Sequence, residues 1–249
     1  MSSVPEREFK AEYYDEAYFK TPEGKKFDRG DGSLGAWSYA NPHGEFLGAK
    51  DITKAWKEVF KPENLLDVGA GRGTFIAYAR DIGIEAEGFD YSRWAVSDEG
   101  RYPRCKAEWL KHHDATESWP YKDGRFDLLV SLDFYEHIYE EDLHLVIPEM
   151  YRVARKWIFL QIATAGSGGL QGQDFKGYIL KKGEPIPKGL EGCAVAGHVT
   201  VCSEEWWLDR FESDDWMPRR DMVEWFCGLV DPGIIRNWLL NTIIVLERI

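Results

Sequence analysis

Leu65-Leu-Asp-Val-Gly-Ala-Gly-Arg-Gly-Thr-Phe75 is the stretch that decides the fold. A short apolar run, Leu65 to Val68, enters a turn with glycine at 69, 71 and 73, and Asp67 stands just before it. Phe75, Tyr78, Ala79 and Ile82 then recur at helical spacing, and Gly83 is placed to cap that helix. A glycine turn between strand and helix lets a ligand approach the backbone closely. It also aims free helix N–H groups at an anion such as a carboxylate or phosphate.

Outward from this turn the pattern repeats. Glu85 to Asp90 reads as a second strand, with Ser92 capping a short helix toward Gly100. A weaker third strand lies around Trp109 to Ala115, and a clear fourth is Phe126-Asp-Leu-Leu-Val-Ser-Leu132. Leu143, Val146, Ile147, Met150, Val153 and Ala154 mark a helix, and Trp157 to Ile162 is a fifth strand. Alternating apolar strands and amphipathic helices predict a doubly wound, mostly parallel sheet covered on both faces. Ligands of such sheets bind at the carboxyl ends of the strands.

The flanks are less regular. Phe9, Tyr13, Tyr14, Tyr18 and Phe19 suggest an amphipathic helix, followed by a loop rich in glycine from Gly24 to Pro42. Asp51 to Phe60 is a helix that Pro62 ends. Residues 163–198 break the rhythm with Gly, Lys and Pro, and a connection this long is functional or mobile. Lys176, Lys181, Lys182 and Lys188 within it read as a solvated face. Ser203 caps a further helix with Glu204 and Glu205 in its first turn. Trp206 and Trp207 are adjacent, so one helix stripe cannot bury both. Met222, Val223, Phe226 and Leu229 carry another helix, and Asn241 to Glu247 closes the chain as a strand. No internal repeat or second domain boundary is visible, so residues 1–249 read as one domain.

Composition narrows the function. The 249 residues hold 31 basic and 43 acidic side chains, a net charge of −12, which disfavours nucleic acid and anionic lipid as partners. Cys105, Cys193, Cys202 and Cys227 form no C-x-x-C pair, so neither zinc spacing nor a disulfide framework is expected, and no metal is. They read as mostly buried thiols. No apolar run reaches 18 residues, and the polar start lacks the apolar core of a signal peptide, so a cytoplasmic protein is the expectation. Eleven tryptophans suit a pocket lining or a Trp-rich core.

The dinucleotide pattern G-x-G-x-x-G fails here. From Gly69 its third glycine would fall on Thr74, and from Gly71 on Ile76. The remaining pattern, D-x-G-x-G-x-G, resembles the first motif of the class I S-adenosylmethionine-dependent methyltransferases. The likeness continues in order over residues 60–165, and loosely from Val199 onward. It implies a Rossmann-like, seven-stranded sheet and a donor site for S-adenosylmethionine, with S-adenosylhomocysteine as product. Asp67, Gly69, Ala70, Gly71 and Gly73 would shape that site. Asp90, 23 residues after Asp67, would hold the ribose hydroxyls, since a carboxylate accepts two hydrogen bonds from a diol. Asp114 would take the adenine amine, with Tyr91, Ala115 and Leu132 beside the donor. The resemblance also casts residues 1–60 as an N-terminal helical cap and 163–198 as an acceptor-side insertion.

The acceptor is narrowed by absence. Amino-methyltransferases of adenine or glutamine resemble one another in an N/D-P-P-Y/F motif, and Asp133-Phe-Tyr-Glu136 lacks both prolines. No cysteine stands near the donor motifs for cysteine-based RNA methylation. A small-molecule acceptor remains, methylated on O or N, sugar-like or a natural-product intermediate. Glu136, His137 and His198 are candidates for aligning the acceptor or acting as base. His137 equally reads as structural or as a donor contact, and His198 as a loop anchor. His43, His112, His113 and His144 read as ordinary. Tyr13, Tyr14 or Tyr18 could close over the donor, and Trp37 and Tyr39 could wall the pocket. A non-catalytic methyltransferase-like subunit, a protein or RNA methyltransferase and a nucleotide-dependent oxidoreductase stay open.

Overall fold

A computed structural model of the chain describes residues 4–21, 23–29, 31–38, 48–166, 177–238 and 243–249. Its centre is a seven-stranded sheet. The strands are β1 (Asn64–Val68), β2 (Glu85–Asp90), β3 (Leu110–His112), β4 (Phe126–Leu132), β5 (Ala154–Gln161), β6 (Trp216–Pro218) and β7 (Ile243–Arg248). Their spatial order is β3-β2-β1-β4-β5-β7-β6. The pairs among β1 to β5 are parallel, and β7 runs antiparallel to both β5 and β6.

The two-residue period of the strands sorts their side chains into two cores. Leu65, Leu128, Val130, Phe159 and Val245 point to one face, and Leu66, Val68, Leu129, Leu160 and Leu246 to the other. On the first face lie α1 (Ala49–Phe60), α2 (Thr74–Asp81), α5 (Arg220–Leu229) and α6 (Pro232–Trp238). Trp56 of α1 is fully buried there against Phe75 and Phe159. On the second face lie α3 (Leu143–Val153) and α4 (Glu204–Arg210). Trp207 is fully buried in that core, whereas Trp206 stays half-buried under the Arg210 guanidinium, as their adjacency requires. Each fully buried aromatic or aliphatic side chain contributes about 1.5–3 kcal/mol.

Three local readings need correction. Phe9 to Phe19 is not a continuous helix but two short turns, Ala11–Tyr13 and Glu16–Phe19. Tyr14 between them leaves helical geometry at φ −87°, ψ 61°, and the Asp15 carboxylate caps the second turn by accepting from Tyr18 N–H. The glycine-rich loop contains a hairpin, Lys25–Asp28 with Leu34–Trp37. The third strand is three residues long, an edge shorter than its sequence run. Of the thiols, Cys105 and Cys202 are buried and Cys193 and Cys227 half-buried, all four free. No helix among the described residues is long and apolar enough to cross a membrane.

A third apolar layer roofs the carboxyl ends of the strands. Phe9, Tyr13 and Tyr18 pack there against Tyr139, Leu180, Ala194 and Val199. Tyr13 and Tyr18 donate their hydroxyls to the carbonyls of Val195 (2.6 Å) and Ala196 (2.8 Å). Ser92 Oγ donates to the Tyr14 carbonyl. The segment below the roof is held to the rest by a two-stranded ribbon, Tyr178–Ile179 with Thr200–Val201.

Candidate active site

The glycine turn sits on the end of β2, because Gly69 and Ala70 N–H both donate to the Phe89 carbonyl. Gly71 has φ +52° and Gly73 φ +78°, in the left-handed region that favours glycine. The two differ in what surrounds them. A Cβ on Gly73 would lie 2.6 Å from Cys105 Sγ, so that residue is wedged against the core. A Cβ on Gly71 would meet nothing nearer than Phe19 at 3.5 Å, so its face is open to a ligand.

That open face borders a cavity of about 330 Å³. Asp67, Gly69, Ala70, Gly71, Asp90, Tyr91, Asp114, Ala115 and Leu132 all line it. Gly73 does not, and it acts on the site by shaping the turn. Asp90 accepts from Gly71 N–H (2.7 Å) and Ser92 N–H (2.7 Å), one bond on each oxygen. Each carboxylate oxygen can accept more than one bond, so both retain capacity toward the cavity. Asp114 uses one oxygen, Oδ1, to fix Thr116 through its N–H and hydroxyl.

The acids are held in an electrostatically costly state. Asp67 is 2% exposed, and its Oδ2 has no hydrogen-bond partner among the described residues. Burial, with the charge of Asp90 adding to it, pushes Asp67 up to about 8. Burial also lifts Asp90 to about 6, against the opposing pull of its two N–H donors. A ligand that brings a cation and two hydroxyls would relieve both.

The chain beyond β4 supplies the opposite wall. Asp133 stands at φ +49°, a strained conformation for a residue with a Cβ, and strain of this kind clusters at functional sites. Its N–H donates to the backbone and side chain of Gln161. Asp133, Phe134, Phe19 and Lys182 also line the cavity; the sequence alone reads Phe19 as part of a helix and Lys182 as a solvated face. The backbone strain at Asp133 has no sequence signature. Lys182 sat in a lysine run, and it pairs with Asp142 at 2.9 Å while Lys181 pairs with Glu140 at 3.3 Å.

The three candidate bases converge but are not equivalent. His137 lines the cavity, with Tyr14 Oη 3.5 Å from its Nδ1. Burial lowers His137 to about 4, so the imidazole is neutral at neutral pH. His198 stands edge-on to it at 4.9 Å between ring centres, 8% exposed and outside the cavity lining. Burial and the neighbouring His137 hold it well below its usual range. Glu136 is fully buried, its Oε1 accepting from Ala163 N–H at 3.0 Å, and it does not line the cavity. Burial and the Asp133 carboxylate push it well above the usual carboxylate range. Tyr14 and Tyr18 line the cavity, whereas Tyr13 and Trp37 do not. Trp37 packs on Tyr18 instead, 4.8 Å between ring centres. Tyr39 and His43 lie outside the described residues.

Fold and site together define a doubly wound α/β domain with an acid-lined nucleoside cleft at the carboxyl end of its sheet. The chain belongs to the methyltransferase domain family, whose sequence profile matches residues 32–216. Over 100 residues it is 35% identical to norajmaline N-methyltransferase of Rauvolfia serpentina, covering 38% of this chain and 33% of that protein. The chain thus spans about a third of the length of the curated relatives it matches. Two solved structures share the fold. One is a SAM-dependent methyltransferase from Archaeoglobus fulgidus, 15% identical, covering 80% of this chain and 92% of that one, with a TM-score of 0.52. The other is the plantazolicin methyltransferase BpumL, in complex with a triazolic desmethyl-plantazolicin analogue and S-adenosylhomocysteine. It is 16% identical, covers 82% of this chain and 84% of that one, and has a TM-score of 0.51.

The residues present fit S-adenosylmethionine. The orphaned Asp67 Oδ2, the spare acceptor capacity of Asp90 and the open face of Gly71 suit a cation, a diol and a close backbone approach.

Proposed function

We propose that this chain transfers a methyl group from S-adenosylmethionine to a nitrogen or oxygen atom of a small organic acceptor, with nitrogen favoured. The observation that carries the reading is the convergence of Gly71, Asp67, Asp90 and Asp114 on one cavity that continues to His137. Bound there, S-adenosylmethionine supplies an electrophilic methyl group.

The chain's residues do the rest. Asp90 binds the ribose hydroxyls and Asp114 the adenine amine. Tyr91, Ala115 and Leu132 border the nucleoside. Phe9, Tyr14, Tyr18 and Phe19 roof the cavity and exclude water, so that holding the reactants together can lower the barrier. His137, neutral and lining the cavity, packs beside the acceptor and helps to orient it. An amine need only arrive deprotonated, which suits a site whose nearby carboxyl, Glu136, lies outside the cavity lining. The N-methyltransferase names of the curated relatives support nitrogen. Four free thiols accord with a cytoplasmic setting.

The test is a mass-spectrometric transfer assay over two acceptor panels, cyclic secondary and tertiary amines against phenols and sugars. Donor-dependent gain of one methyl on the amines supports the reading. Donor binding with no transfer to either panel would favour a non-catalytic subunit.

A further inference from the structure

Glu136, His137 and His198 each present one ligating atom, and these atoms lie within 4.8 Å of one another. The cluster has the composition of a metal site rather than of a buried polar accident. Two imidazoles and one carboxylate form the ligand set of catalytic zinc sites and of non-haem iron sites, both of which keep a position open. The carboxyl is fully buried, and its Oε2 has no hydrogen-bond partner among the described residues. An unsatisfied buried carboxyl oxygen is costly, and a metal ion would satisfy it.

The surroundings suit the same reading. Ala163 N–H donates to Glu136 Oε1, which orients the carboxyl, and the Asp133 side chain neighbours it. Val199 N–H donates to the Glu136 carbonyl, so the two histidine-bearing segments are tied together at the cluster. Outer-shell bonds of this type fix the ligands of real metal sites. His137 sits on the cavity wall, while Glu136 and His198 lie behind it. An ion held by the three would therefore be closed on the protein side and face the cavity on the other.

We propose that Glu136, His137 and His198 bind one divalent transition-metal ion of the zinc or iron type, with an open coordination position toward the acceptor. Metal–ligand bonds of about 2.0–2.2 Å require the three atoms to draw in by something on the order of 1 Å, within reach of side-chain rotation. Any proton that the Glu136 carboxyl carries leaves to solvent on binding, and no electron changes hands. The open position would take a nitrogen or oxygen atom of the acceptor. The site itself does not depend on the methyl-donor reading.

The full chain, stripped with a chelator and dialysed, is titrated with Zn2+ and separately with Co2+. One equivalent should bind, with a visible Co2+ spectrum of nitrogen and oxygen ligation. His137→Ala, His198→Ala and Glu136→Gln should each weaken binding by at least about 10–100-fold, the loss that outer-shell partners alone can cause. Donor binding by calorimetry and far-ultraviolet circular dichroism report whether each variant is folded. If His198→Ala unfolds, His137→Ala on the cavity wall carries the test. Failure to bind one equivalent, binding unchanged by His137→Ala, or a thiolate-type Co2+ spectrum marking a cysteine site would each overturn the proposal. A parent chain that binds the metal but no donor would count against the donor reading alone.

Discussion

Donor binding should expel protons, and Asp90 is the reason. In the free protein, burial lifts Asp90 to about 6. A bound diol donates two hydrogen bonds to the carboxylate and a nearby sulfonium favours its charge, which should return it to about 4, the ordinary range. At pH 6 the free site is then half protonated and the bound site nearly fully ionised, a release of about 0.5 proton per site. Affinity should rise about fourfold from pH 5.5 to 7.5 on the same arithmetic. The assay is titration calorimetry at pH 6 in buffers of different ionisation enthalpy, where the slope of heat against that enthalpy counts protons. Asp90→Asn should abolish this half proton and weaken binding by about 1.5–3 kcal/mol for each charge-assisted bond lost. Release that survives in Asp90→Asn and vanishes in Asp67→Asn belongs to Asp67, which stands at about 8. Buffer-independent heats at pH 6, or equal release in Asp90→Asn, would refute the assignment of Asp90.

Other expectations are simpler. Gly73→Ala should lower stability by more than the roughly 1–2 kcal/mol of a left-handed residue, since its Cβ would lie 2.6 Å from Cys105 Sγ; urea unfolding measures it. Gly71→Ala should lose about that 1–2 kcal/mol of stability but weaken donor binding clearly, because its Cβ would project into the open face. Glu136→Gln should change stability by less than about 1 kcal/mol, since a neutral amide can still accept from Ala163 N–H, whereas Glu136→Ala strands that donor at about 1–3 kcal/mol. His137 is held near 4 in the fold against about 6.5 unfolded, so the unfolded chain takes up the proton first as pH falls. Its contribution is therefore fully present above pH 6.5 and lost as pH falls toward 4. Unfolding midpoints over that window should drop less steeply in His137→Gln than in the parent.

The half of the site built from acids and glycines was readable because most of its parts are local. A strand end, a turn with three glycines and an acid at the next strand end each leave a pattern within a few residues, the family resemblance added Tyr91, Asp114, Ala115 and Leu132, and nine of the ten residues so named line the cavity. Gly73 differs because a glycine can be required by its neighbour's sulfur as easily as by a ligand. The acceptor half was legible only as residue types. His137 and His198 are separated by 60 residues of chain, and their edge-on contact depends on the Tyr178–Val201 ribbon and the roof above it. Glu136 reads as a candidate base beside His137, but its carboxyl is fully buried and lies outside the cavity lining, which the residue type alone does not reveal. The N-terminal aromatics carried helical spacing, yet their hydroxyls bond to the 195–196 carbonyls, and those long-range bonds set the backbone.

The roof joins the two halves of the site. Tyr14 is tied to Ser92, whose N–H donates to Asp90, while Tyr13 and Tyr18 are tied to Val195 and Ala196, close in sequence to His198. Because all three tethers belong to six consecutive residues, displacing that segment should loosen the contacts at Ser92 and at Val195 and Ala196 together, so the two sides of the cleft should open and close as one.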